Sequence, residues 1–448
     1  MRKLFKKKML VWGFALLASI FLISACGGKD KKDEATVDGE LNGEITFWHS
    51  FTQGPRMESI QKSAEDFEKE HPGVKIKIES FSWDDFYQKW TTGLASNNVP
   101  DMSTALPNHV VEMIDSGAVV PLNDLIDSIG RNRFSEMSIG EGHVDGNDYS
   151  IPLYSHAQVM WIRKDLLEEN NLEIPETWDE FAKAAEILTK DGVYGASFPT
   201  GSNDFLGTRY LNYYVRSHGE SLLTDDLKAN ITSDAAIEGI KFWVDIYEKA
   251  SPKDSISYNV LDQATLYYQG KTAFDFNSGF QIAGVEANSP DLLEYIDAAP
   301  IPKVNKDDEE LGIETANIPM VVWENSEHPE VCKAFIEYLF EKDRYIEFLS
   351  ATPVGMLPSL NDISEEPAYK ENKIVKQFSH AEKVISDAVA KGTAIGYEHG
   401  PSVQAGLLVS QGIIESMFQD IITNDVQVEK AAKAAEEELN EIFSSVEQ

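Results

Sequence analysis

From Glu44 onward the chain repeats one pattern, a short β-type run, a polar turn and then an amphipathic helix. This alternation constrains the fold most, because such units bury their apolar faces only when helices are laid against a sheet. Ile45-Thr46-Phe47-Trp48 is the first β-type run. Arg56 to Lys69 then sets Met57, Ile60, Ala64 and Phe67 on one helical face, and His71-Pro72-Gly73 stops it. Val74 to Ile78 alternates as a half-buried strand. Thr177-Trp178-Asp179-Glu180 is a capping-box signature for a helix through Leu188, and Thr232-Ser233-Asp234 supplies an N-cap cluster for a helix over 235–249. The Ala/Glu/Lys-rich tail from Gln427 to Phe443 is strongly helical. At 448 residues the chain exceeds one small domain, and 42% hydrophobic content supports a packed core. The expectation is an α/β protein with largely parallel sheets in more than one lobe.

The N-terminus reads as an address and an anchor. The stretch MRKLFKKKM precedes an apolar run from Leu10 to Ile23, 14 residues long and short of the ~20 that a membrane span needs. Ile23-Ser24-Ala25-Cys26 follows and resembles the bacterial lipoprotein box, in which the cysteine is acylated and becomes the new N-terminus. Residues 1–25 are therefore expected to be a signal peptide and Cys26 the lipidation site. Two or more acyl chains hold a protein stably on a membrane where one does not. Residues 26–43 are polar and glycine-bearing, the composition of a flexible tether. The expected location is the outer face of the cell membrane. Cys332, in the apolar-periodic run VCKAFIEYLF, is expected to be a core residue with no disulfide partner.

Charge narrows the function classes. The formal net charge is −36, and without the five cations of the first 25 residues the remaining 34 face 75 acids, a net of −41. Such a surface repels phosphate backbones, which excludes nucleic-acid binding. Signatures of catalysis are missing as well. The sequence holds no G-x-S-x-G, no G-x-x-x-x-G-K-[ST], no H-E-x-x-H and no complete G-x-G-x-x-G. Asp145-Gly146-Asn147-Asp148 has calcium-ligand residue types at the wrong spacing for an EF-hand and reads as a turn. With two cysteines and nine scattered histidines, no metal or cofactor site is expected. Glycosidase carboxylate pairs lie far apart in sequence and leave no local signature.

The co-linear order ITFWHSF, FEKEHPGVKIKIE, LASNNVPDM, DSGAVVPLNDLI, YSIPLYSHAQVMWIRKDLL, PETWDEFAKAAEILT, YYQGKTAFDFNSGF and VGMLPS covers most of residues 44–443. It resembles the extracellular solute-binding proteins of carbohydrate-importing ABC transporters, the family of maltose- and glycerol-phosphate-binding proteins. The resemblance implies a non-enzymatic, monomeric, two-lobed periplasmic-binding-protein-like fold with an interlobe hinge, a ligand cleft, and a membrane permease as partner. On this layout residues 44–153 and 312–355 form lobe 1, and residues 154–311 and 356–448 form lobe 2. Crossings are expected near Ile151–Tyr154, residues 312–317 and Pro353–Leu357.

Sugars offer hydroxyl edges and apolar C–H faces, so their sites combine aromatic rings with amide and carboxylate groups. Trp48, His49 and Ser50 stand at the end of the first strand, the cleft position, with Trp48 as core and His49 as surface the alternative. Trp83, beside Asp84 and Asp85, is either a stacking platform or packing at a helix start. Asn108 and His109 occupy the loop that carries polar sugar ligands in maltose-binding relatives. Tyr154 and His156 lie at the first crossing. Asn203, Asp204 and Phe205 form a polar–aromatic loop. Phe280 falls where many relatives place a stacking tryptophan, and Tyr397 and Glu398 are similar candidates. Trp48, Tyr154 and Phe280 are expected to face the interlobe space. Trp161, Trp178 and Trp243 sit in periodic runs and read as core. None of the candidate loops holds a Lys or Arg, which favours a neutral mono- or oligosaccharide. Glycerol phosphate or another small metabolite, and a lipid-anchored glycosidase, are the alternatives. The anchor has a direct test: Cys26→Ser should move the protein from the membrane fraction to the soluble fraction, and retention would mean that the N-terminus is no lipoprotein signal.

Overall fold

The computed structural model describes residues 40–52, 54–202, 204–311 and 313–446. The signal peptide, Cys26, the tether through residue 39, Asn203 and Gly312 lie outside the described residues. In chain order the strands are β1 (Asn42–His49), β2 (Gly73–Ser80), β3 (Met102–Thr104), the short hairpin β4 (His143–Val144) and β5 (Asn147–Asp148), then β6 (Ile151–Ala157), β7 (Val159–Arg163), β8 (Phe274–Asn277), β9 (Ile296–Ala299) and β10 (Thr315–Val322). One sheet has the order β2-β1-β3-β10-β6 and another β8-β7-β9, each flanked by helices. The Asp145-Gly146 turn of the hairpin has positive φ at both residues, 51° and 80°, as a tight hairpin turn demands.

Local signals account for many helix starts. Ser82 accepts a hydrogen bond from Asp85 N at 3.4 Å, Thr177 from Glu180 N at 3.3 Å and Ser233 from Ala236 N at 3.2 Å. The helix Gly54–Glu70 buries Ile60, Ala64 and Phe67 as its periodicity requires, but Met57 remains 37% exposed. Cys332 is fully buried, and Trp161, Trp178 and Trp243 are core.

The expected largely parallel pairing does not hold. Parallel pairs join β1 to β2 and to β3, whereas β10 runs antiparallel to β3 and β6, and β7 runs antiparallel to β8 and β9. The reason is topological. β6 carries the chain out of the first sheet and β10 brings it back, so neighbouring exit and return strands must run in opposite directions.

The buried hydrophobic residues form two large clusters, one around the first sheet that also takes in Trp161, Tyr267, Ile282 and Ala298, and one around Met160, Phe181, Trp243 and Phe276. β6 stays in the first sheet through Ala157 and β7 opens the second at Val159, so the outward passage is at Gln158. Gln158 N donates to Glu314 O at 3.0 Å, and Thr315 N donates to Thr393 O at 3.1 Å. Three passages therefore lie side by side. At the expected crossing Pro353–Leu357, Leu357 pairs with Ser155 of β6, and Val354 and Gly355 pack against Gly279 and Phe280, so this segment touches both lobes. The helix Ser379–Lys391 packs on β6 and β10 and also on β7 and β9, and residues from Ala394 onward belong to the second cluster. We propose that the third passage spans the stretch from Pro353 and ends where Thr393 pairs with Thr315.

Beside these passages Arg209 Nε donates to both carboxylate oxygens of Glu314, at 3.0 and 2.9 Å, and both side chains are buried. Removing one member of such a pair strands a buried charge. Glu314→Ala should therefore cost about 3–5 kcal/mol, and replacing both residues with hydrophobic ones, Arg209→Met with Glu314→Leu, should cost clearly less. Chemical denaturation of the three proteins checks this.

Candidate ligand cleft

Between the lobes lies a cavity of about 310 Å³. The first lobe contributes Trp83, the first residue of the helix Trp83–Ser96, with Tyr87 one turn later on the same face. Asn108 and His109 join them from the helix Pro107–Asp115, which starts just beyond the C-terminal end of β3. The second lobe contributes Ser202, Asp204, Phe205 and, from far along the chain, Ser410. The helix Val403–Ser410 lies close against Pro107–Asp115, and Gly406 makes this possible: a Cβ there would meet Asn108 O at 2.9 Å.

Burial sets the electrostatics. It pushes His109 down to about 3, keeping the ring neutral, and its plane lies parallel to that of Phe86, with 2° between them. Glu112, which accepts from Tyr87 OH at 2.7 Å, is pushed up to about 7 by desolvation. Burial also raises Asp204, whose carboxylate is held by Phe205 N at 2.8 Å and Val260 N at 2.9 Å.

The candidates chosen from sequence separate into groups. Trp83, Asn108 and Phe205 come together around the cavity. Trp48 does not line it; it is 4% exposed in a cluster with Phe86 and Trp90 and meets Phe81 edge-on at 5.3 Å. His49 is fully buried, its Nδ1 accepting from Phe51 N at 3.0 Å, and burial followed by the charge of Arg56 lowers it to about 4. Ser50 N donates to Thr104 Oγ1 at 3.2 Å. Tyr154 is 2% exposed but meets Phe280 of the second lobe at 6.3 Å between ring centroids. His156, buried and lowered to about 3, lies 6.0 Å from Phe280. Tyr397 OH donates to Pro107 O at 2.6 Å, which ties residue 397 to the first lobe. Glu398 is committed to Ser221 at 2.9 Å and Arg216 at 3.2 Å.

The cations near these rings sit on helices and not on the candidate loops. Arg56 sits 4.4 Å over the Phe280 ring and donates to Tyr154 OH at 3.5 Å, Arg209 sits 4.5 Å over Phe205, and Lys89 lies 5.2 Å from Trp48. These are helix residues whose long side chains reach over nearby rings. Tyr87 was findable at four residues from Trp83. Nothing local marks Ser410 or Gly412.

Two lobes linked by three passages, with a cavity drawing side chains from each, define a cleft-type binding protein. The chain belongs to the bacterial extracellular solute-binding protein family, whose pattern matches residues 52–344. An arabinooligosaccharide-binding protein of Halalkalibacterium halodurans is 24% identical, over 90% of this chain and 91% of that one. The fold is similar to that of a solute-binding protein from Agrobacterium radiobacter in complex with ribitol, with a TM-score of 0.78, 18% identity and coverage of 90% of this chain and 100% of that one. It is also similar to one from Thermotoga lettingae bound with alpha-D-tagatose, with a TM-score of 0.77, 21% identity and coverage of 89% and 99%. No helix among the described residues is long and apolar enough to cross a membrane.

The two aromatic groups should behave differently on truncation. Trp83→Ala and Phe205→Ala remove cleft rings and should weaken ligand binding about tenfold to a hundredfold with little loss of stability. Trp48→Ala empties a packed site and should cost about 3–5 kcal/mol of stability. Unfolding midpoints and affinities measured on the same three variants give the comparison.

Proposed function

We propose that this protein is a monomeric, lipid-anchored receptor on the outer face of a cell membrane, which binds a neutral sugar or oligosaccharide between its lobes and delivers it to an ABC import permease. The observation that carries this reading is the interlobe cavity, where Trp83, Tyr87 and Phe205 supply apolar rings and Asn108, Ser202 and Ser410 supply neutral hydrogen-bonding groups. Rings match the C–H faces of a sugar and the polar groups match its hydroxyls. No Lys or Arg lines the cavity, which favours an uncharged ligand. The arabinooligosaccharide-binding relative and the ribitol- and tagatose-bound neighbours agree in ligand chemistry. A ligand touching both lobes favours the closed state, which is the signal a permease needs.

A glycosidase needs two carboxylates about 5–10 Å apart around the scissile bond. Asp204 is the carboxylate lining the cavity, and backbone amides hold it. One observation favours an anionic ligand such as glycerol phosphate. Arg56, between Phe51 and Phe280, has no carboxylate at ion-pair distance among the described residues.

The test is a thermal-shift screen with neutral mono- and oligosaccharides and glycerol 3-phosphate, followed by product analysis after long incubation. Ligand that binds only the folded state raises the midpoint. A rise with a neutral sugar and no product is the expected result. A rise with glycerol 3-phosphate alone would favour the anionic reading, and turnover of a glycan would overturn the receptor.

A further inference from the structure

The second lobe holds another cavity, of about 340 Å³, that shares Ser202 with the interlobe one. Its walls are Gly201 and Ser202 on one side, Ser257 and Asn259 on another, and Gln419 and Thr423 of the helix Ile413–Asn424 on a third. Its chemistry differs from that of the first cavity. Among its described lining residues there is no aromatic ring and no charged side chain; Ser202, Ser257, Asn259, Gln419 and Thr423 bring amides and hydroxyls, and Ile256 adds an apolar face.

The walls are built in advance of any ligand. Gly201 N donates to Tyr258 O at 3.1 Å, Thr200 Oγ1 to Ile256 O at 3.0 Å and Gln419 Nε2 to Thr200 O at 2.5 Å. A Cβ at residue 201 would meet Tyr258 O at 2.6 Å, so glycine lets these two loops approach. The bond from Val260 N to Asp204, at 2.9 Å, ties the same loop to the rim of the interlobe cavity. Binding in a preformed polar pocket avoids the ordering cost of loops. Each cavity alone lies near the lower end of the ~300–1,000 Å³ range of ligand pockets, and Ser202 lines both.

We propose that the second cavity is an extension subsite: one ring of the ligand stacks in the interlobe cavity, and further units of a neutral oligosaccharide continue past Ser202 and hydrogen-bond in the second. This rests on the sugar-receptor reading and sharpens it, because it makes the preferred ligand a chain and makes chain length the selected property.

The experiment is titration calorimetry with arabino-, xylo- and malto-oligosaccharide ladders of one to five units. The proteins are the wild type, Thr423→Trp and Ser257→Trp, whose substituted positions are exposed and tolerate a large side chain without loss of core. Wild-type affinity should rise about tenfold or more from the shortest binding sugar to the longer ones. Both variants should lose that rise and leave affinity for the shortest sugar unchanged. A ladder that is flat in the wild type, or a rise that survives both tryptophans, would overturn the subsite while the receptor stands. Failure of every ladder to bind the wild type would remove the receptor reading and the subsite together.

Discussion

Side-by-side backbone pairing at Gln158, Glu314 and Thr393 is the constraint on which the rest of this protein depends. A single flexible linker would let two lobes sample many orientations, and a cleft shared between them would have no defined shape. Three short passages hydrogen-bonded to one another confine the motion to a hinge. Glu314 serves twice there. Its backbone pairs with Gln158 while its carboxylate holds Arg209, and Arg209 in turn covers the Phe205 ring at 4.5 Å. The hinge and the second-lobe wall of the cleft are thus joined through one buried ion pair. Such a pair adds little net stability, but its geometry is restrictive, because misplacing either partner exposes a buried charge to an apolar surrounding.

Burial shifts several titratable groups around the cleft toward their neutral forms. Desolvation lowers His109 and His156 to about 3 and raises Glu141 to about 8, in each case favouring the neutral form. Glu141 accepts from Asn317 Nδ2 at 2.8 Å on the return strand β10. Asp204 is the acidic residue that lines the interlobe cavity, and backbone amides hold its carboxylate. The two cavities divide the work of recognition. Rings crowd the interlobe one, and amides and hydroxyls line the other.

The sequence revealed the site unevenly. Trp83, Asn108 and Phe205 were legible because each follows a recognisable strand or loop end, and such ends face the cleft in an α/β lobe. Trp48 met the same criterion and still went into a cluster with Phe86 and Trp90, since a strand end says where the backbone stops and not which way a ring turns. Arg56 and Arg209 escaped notice because they sit on helices, within one and a half turns of the Phe51 and Phe205 rings they cover, and the reach of Arg56 to Phe280 joins residues 224 positions apart. Ser410 was beyond reach for a different reason. It belongs to a helix that meets Pro107–Asp115 only after the third passage, some 300 residues along the chain.

What the sequence determined by itself was local: the alternation of strands and helices, the caps at Thr177 and Ser233, the turn at Asp145-Gly146, the buried tryptophans and the order of segments that marks the family. These follow from side-chain periodicity and short-range hydrogen bonding, which act within one or two turns of chain. Strand direction in the sheets, the passage at Thr393, the Arg209–Glu314 pair and the meeting of Trp83 with Phe205 were decided only in three dimensions. Each joins residues separated by tens to hundreds of positions, and a contact of that kind exists only once both lobes have packed and their crossings have been paired.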